Sequence, residues 1–186
     1  MEKFEKCTET KTQSKPETEC SQLISHPSQT HTPCQERNDD KTENETLWEI
    51  NFDGSCTKRT TGVGVWIHNT ENDYRESHAC NLHFKCKNNI AEYEALILGL
   101  NLLRKLGSRR ITVHGDSELI IKQVNGEYTA KHPRLRAYRN ETLDLLKTFV
   151  EYELVFVPRS QNEISNGLAC MASSYHKPPI DQQIVI

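Results

Sequence analysis

The sequence predicts an α/β domain over residues 47–175: a mixed five-stranded sheet with helices packed on it, its elements running βββαβαβα. Three observations carry this. Trp48, Ile50 and Phe52 alternate with polar neighbours, the period of a half-buried strand. Ala91, Ala95, Leu98, Leu102 and Leu106 recur at helical spacing. The two kinds of pattern interleave along the chain, which favours helices layered on a sheet over separate all-α or all-β units.

Taken in order, Leu47 to Phe52 reads as the first strand, and Asp53-Gly54-Ser55 supplies turn chemistry at its end. Gly62 to His68 is a second strand and Tyr74 to Phe84 a third, with a turn at Asn69 to Asp73, giving an antiparallel meander. Asn88-Asn89 precede a long helix that Gly107 stops. Arg110 to His114 is a short strand leading into Gly115-Asp116-Ser117, and Glu118 to Val124 a helix. After a turn at Asn125-Gly126 and a break at Pro133, Leu135 to Val150 reads as an amphipathic helix. Tyr152 to Val157 is the last strand, and Gln161 to Ser173 the closing helix.

Residues 1–46 differ in character. They are mostly Thr, Glu, Lys, Ser, Gln and Pro, with Phe4, Leu23 and Ile24 as the large apolar residues, so they are expected to form a disordered polar tail. Residues 176–186 are read as a C-terminal tail. The first 46 residues hold ten acidic and six basic side chains, leaving 16 and 17 for the rest. A near-neutral domain carries no global signal for nucleic acid, but affinity for a phosphate backbone depends on where Lys and Arg sit.

The seven cysteines, Cys7, Cys20, Cys34, Cys56, Cys80, Cys86 and Cys170, form no CxxC pair and are read as reduced thiols. Cys20, His26, His31 and Cys34 lack the tight ligand pairs of a structural zinc site. With no apolar signal core and no run near the roughly 20 apolar residues that span a bilayer, the expectation is a soluble intracellular protein without membrane contact.

Three carboxylates fall where α/β sheets place sites: Asp53 after the first strand, Glu92 in the first turn of the long helix, and Asp116 beyond the fourth strand. Singly each has a plain explanation, as a turn Asp, a residue favoured by the helix dipole, and a cap. Together with the order of elements they form a set. FDGSC at Phe52 to Cys56, NNIAEYEAL at Asn88 to Leu96, GDSELIIKQVNGEY at Gly115 to Tyr128 and VPRSQNEISNGLA at Val157 to Ala169 resemble the type 1 ribonuclease H family, in its plant and gypsy-class retroelement branch.

That resemblance implies a ribonuclease H-like fold and hydrolysis of the RNA strand of an RNA/DNA hybrid by a two-metal mechanism. Mg2+, with Mn2+ as substitute, would be held by Asp53, Glu92 and Asp116; hard Mg2+ prefers carboxylate oxygens. No small-molecule cofactor is implied. Ser55, Asn88, Asn89 and Ser117 are implied substrate contacts; for Arg159 a phosphate contact and a solvated loop arginine are both open readings. The 2'-hydroxyls of the hybrid's shallow groove are what distinguish RNA. For Asn88-Asn89 helix capping is an equal reading, with Asn89 a good N-cap ahead of Glu92.

Two departures matter. The family's fourth acid, on the last helix, is here Asn166, and removing one negative charge weakens attraction for a second divalent ion. Glu163, one turn earlier, is read as solvated. No histidine stands between Pro158 and Asn166, a loss common in the plant and retroelement branch. Thr57-Lys58-Arg59-Thr60-Thr61 puts positive charge beside the site, and Lys122, Lys131, Arg134, Arg136 and Arg139 stand in thinly for a missing basic handle. Attenuated turnover at Asn166 is one expectation, and a catalytically inactive nucleic-acid binding module derived from a retroelement is the alternative. An integrase-type reading is set aside, since its acids run Asp, Asp, Glu.

Overall fold

The computed structural model describes residues 8–11 and 46–174. Six strands form one sheet: β1 (Thr8–Lys11), β2 (Leu47–Cys56), β3 (Thr61–Asn69), β4 (Arg75–Leu82), β5 (Arg110–Gly115) and β6 (Glu151–Phe156). Their order across the sheet is β1-β4-β3-β2-β5-β6. The last five make the expected mixed sheet, antiparallel from β4 through β3 to β2 and parallel from β2 through β5 to β6.

β1 lies within the segment expected to be a disordered tail. It pairs antiparallel with β4, with Thr8 opposite Ala79 and Lys11 opposite Glu76. An edge strand is held by backbone bonds and needs no apolar pattern, so a TETK run gives no sign of it. The rest of residues 1–45, the 176–186 tail, and Cys7, Cys20 and Cys34 lie outside the described residues. Cys56, Cys86 and Cys170 are free thiols, as expected. Cys80 is disulfide-bonded, which corrects the reading of all seven as reduced: spacing along the chain does not report pairs that folding brings together.

The helices are α1 (Asn88–Lys105), α2 (Glu118–Val124), α3 (Pro133–Leu146) and α4 (Glu163–Ser174), with a 3-10 turn at Arg159–Gln161 before α4. α1 covers the sheet face that carries Ile50 and Val65; both side chains reach Gly99 at its middle. It is buried nearly all round from Ile90 to Leu100, while Leu106 of the expected apolar stripe is exposed. α4 covers the opposite face, where Gly62 and Gly64 of β3 leave room for its backbone. α3 starts at Pro133 rather than Leu135, because a proline at the first position loses no helical hydrogen bond. His132 Nδ1 then accepts from Arg134 N at 3.2 Å.

Candidate active site

All three acids come together where β2, β5, α1 and α4 meet. Asp53 is not in a turn after β2: the strand runs on to Cys56, with Asp53 paired to Gly64 and Ser55 to Gly62. The Asp-Gly dipeptide signals a turn in sequence, but here Gly54 answers to packing. A Cβ at Gly54 would overlap the backbone of Ala91 and Glu92 in α1. That close approach brings Glu92 beside Asp53.

Glu92 sits in the second turn of α1, since Lys87 is the N-cap and the first turn holds no acid. Asn89 is therefore inside the helix, and no side chain caps it. Asn88 Nδ2 instead donates to Glu92 Oε1 at 2.7 Å, and Ser117 Oγ to Glu92 Oε2 at 2.7 Å. Ser117 holds the N-cap position of α2, yet its hydroxyl serves Glu92 and not that helix. Asp116 follows β5, half-buried, its Oδ1 accepting from Asn162 Nδ2 at 2.8 Å.

Charge is in surplus here. Burial first, then repulsion from Asp116 and Glu92, pushes the Asp53 carboxyl up to about 7, against donation by the Gly54 N–H and the pull of Arg159. Burial and Asp116 also raise Glu92, opposed by its bonds from Ser117 and Asn88. Three mutually repelling hard oxygen donors fit a magnesium-class cation in chemistry. Among the described residues, no three His, Cys, Asp or Glu side chains form a ready-made metal cluster. Both Glu92 oxygens and one Asp116 oxygen accept from protein donors, each with a lone pair to spare.

Asn162 is the residue that sequence reasoning missed. It is 1% exposed and stands immediately before α4. Its Nδ2 donates to the Phe52 carbonyl at 2.9 Å as well as to Asp116, tying the backbone next to Asp53 to the third acid. Its Oδ1 accepts from Asn51 Nδ2 at 3.2 Å and from Ser165 Oγ. The only sequence signal is an Asn ahead of a helix, which reads as a cap. Asn162→Leu is expected to strand Asn51 and the Phe52 carbonyl and to cost about 2–4 kcal/mol, read as a fall in the urea midpoint.

The remaining residues divide. Ser55 accepts from Ser173 Oγ at 3.1 Å and from Cys170 Sγ at 3.8 Å, which ties its oxygen to α4. Arg159 Nη2 donates to Asn166 Oδ1 at 2.7 Å, and Glu163 is exposed, as read. Lys58, Lys87, Asn89, His132 and Arg134 line a cleft of about 560 Å³ beside the start of α1. Of the other basic residues, Lys122 pairs with Glu118, Arg136 donates to the Lys131 carbonyl, and Arg139 to the Gln123 carbonyl.

Known proteins share this fold. A family model described as Reverse transcriptase-like matches residues 51–172. The crystal structure of RNase H1 from the halophilic archaeon Halobacterium salinarum superposes with a TM-score of 0.65 at 30% identity, covering 68% of this chain and 96% of that one. The chain belongs to the ribonuclease H family. Ribonuclease HI of Halobacterium salinarum is 38% identical over 85 residues, 46% of this chain. The chain thus spans 43% of that curated relative's length. LC11-RNase H1, in a crystal structure with an RNA/DNA hybrid, superposes with a TM-score of 0.59 at 28% identity over 68% of this chain and 96% of that one. Among the described residues no helix is long and apolar enough to cross a membrane.

Proposed function

We propose that this ribonuclease H domain is an endonuclease that cuts the RNA strand of RNA/DNA hybrids with Mg2+, or Mn2+ in its place. The observation that carries the reading is the convergence of Asp53, Glu92 and Asp116 in one electrostatically coupled site. Likeness to an RNase H1 crystallised with a hybrid supports the substrate class. The absence of a histidine between Pro158 and Asn166 supports a reading within the plant and retroelement branch of the family.

A bound divalent ion supplies charge at the scissile phosphate and an acidified water. Asp53, Glu92 and Asp116 would hold it through their carboxylate oxygens. Asn88 and Ser117 set the Glu92 carboxylate, and Asn162 sets Asp116. Each Glu92 oxygen accepts one hydrogen bond and keeps a second lone pair, so Glu92 could hold a metal with Asn88 and Ser117 still in place. The cationic cleft by Lys58, Lys87 and Arg134 suits a phosphate of the nucleic-acid backbone, with Asn89 at its wall. Ser55 accepts two bonds from α4 and keeps its hydroxyl proton for a backbone phosphate.

The experiment is incubation of the purified protein with a hybrid labelled on each strand, with Mg2+ and with Mn2+. The expected result is RNA cleavage leaving 5'-phosphate and 3'-hydroxyl ends, the DNA strand intact; folded protein that cuts no hybrid sinks the proposal. Asn166 favours one other reading, a module that binds hybrid without turnover. Tight hybrid binding with no cleavage in either metal, unrescued by Asn166→Asp with Arg159→Met, is its expected signature.

A further inference from the structure

The place where the resemblance expects a fourth acid is occupied by a bonded pair. Asn166, on α4, offers a metal only its amide oxygen, and that oxygen accepts from Arg159 Nη2 at 2.7 Å. Arg159 stands on the 3-10 turn that leads into α4, two residues after β6's following Val157 and three before Asn162. A neutral oxygen already bonded to a cation is a poor ligand for a divalent ion, which would be repelled by the guanidinium beside it.

We propose that Arg159 is the resident cation at the fourth-acid position, so that this site takes one divalent ion and the guanidinium faces the scissile phosphate where a second ion would stand. The inference rests on the ribonuclease reading above and refines its metal requirement. Charge balance supports it: Asp53, Glu92 and Asp116 are neutralised by one divalent ion and one guanidinium, whereas four acids call for two divalent ions. Arg159 also acts on the acids electrostatically, since it pulls against the upward shift of Asp53. Its chemistry suits the task. A guanidinium stays charged at any working pH, and one donation to Asn166 leaves four N–H groups in a fixed fork that matches phosphate oxygens. Arg159 belongs to the VPR motif on which the resemblance rests, so the change in the site's charge plan is the loss of the acid at position 166. Asn166 orients Arg159 and binds no metal.

The test counts metal ions on the full chain by Mn2+ electron paramagnetic resonance, with a hybrid made uncuttable by 2'-O-methyl substitution of its RNA strand. One Mn2+ is expected in the native protein. Asn166→Asp alone should still show one, because Asp paired with Arg159 is not free for a metal; Asn166→Asp with Arg159→Met should show two. In hybrid cleavage, Arg159→Met should lose about 100-fold in rate with its Mn2+ count and thermal midpoint unchanged, and Arg159→Lys should recover part of it. Two ions in the native protein, a second ion in Asn166→Asp with Arg159 present, or a native rate in Arg159→Met overturns the proposal while leaving the nuclease standing. Absence of both Mn2+ binding and cleavage in the native protein and all variants takes down the ribonuclease reading together with this one.

Discussion

Asp53→Asn is expected to lower hybrid cleavage by about 10³-fold or more and, in EDTA at pH 8, to make the domain more stable than the native protein. The two effects share a cause. Asp53 is 6% exposed and faces Asp116 and Glu92, so folding confines an anion with other anions. An amide of the same shape keeps the packing and removes the charge, along with the metal it should hold.

The pH dependence follows from the direction of the shift. Asp53 ordinarily titrates near 3.8, but in the fold it is pushed up to about 7. Between those values the folded state keeps a proton that the unfolded chain has lost, so stability falls as pH rises through the window and is fully recovered below it. The whole shift corresponds to about 4 kcal/mol, and relaxation of the site with water penetration around the buried carboxylate reduces this to about 2 kcal/mol. For a domain of this size that is a thermal midpoint roughly 5–10 °C higher in Asp53→Asn at pH 8, with native and variant alike near pH 4. The raised Glu92 slopes the same way in both proteins. Adding Mg2+ at pH 8 should lift the native midpoint and leave Asp53→Asn nearly unmoved. A native midpoint that does not fall between pH 4 and pH 8 in EDTA would contradict the unpaired-anion account.

How much of this could be read from the chain depends on the kind of interaction. The strands and helices were legible because burial imposes a period, and the acids because each stands beside a pattern that ends. Gly54 was misread as turn chemistry, since a dipeptide cannot tell a bend from a helix pressed against a strand. Lys87, not Asn89, is the N-cap of α1, and the Asn88 amide donates to the Glu92 carboxylate. Asn162 and the Arg159–Asn166 pair lie deeper still: their partners are 46 and seven residues away, and polar bonds across elements leave no periodic trace. The β1 strand and the oxidised Cys80 belong to the same class of contacts made by folding alone.

Gly54→Ala should be strongly damaging, although it leaves every polar side chain intact. The added carbon meets the backbone of Ala91 and Glu92, which cannot swing aside as a side-chain tip would. α1 must move as a body, yet it is the most buried helix, packed on β2, β3 and α3. The expected cost is about 3 kcal/mol or more in unfolding free energy, from overpacking against rigid atoms. Because the displaced segment carries Glu92, a shift of about 1 Å should also lower cleavage about 100-fold in whatever folded protein remains. Gly167→Ala is the matched control: that glycine lies in α4 with open space where a Cβ would go, so alanine there should stabilise by about 0.5–1 kcal/mol through helix propensity. Equilibrium urea unfolding of the two variants should therefore move the midpoint in opposite directions. If Gly54→Ala unfolds at the native midpoint and cuts hybrid at the native rate, α1 does not bear on β2 at this point, and the contact that brings Glu92 to Asp53 has to be sought elsewhere.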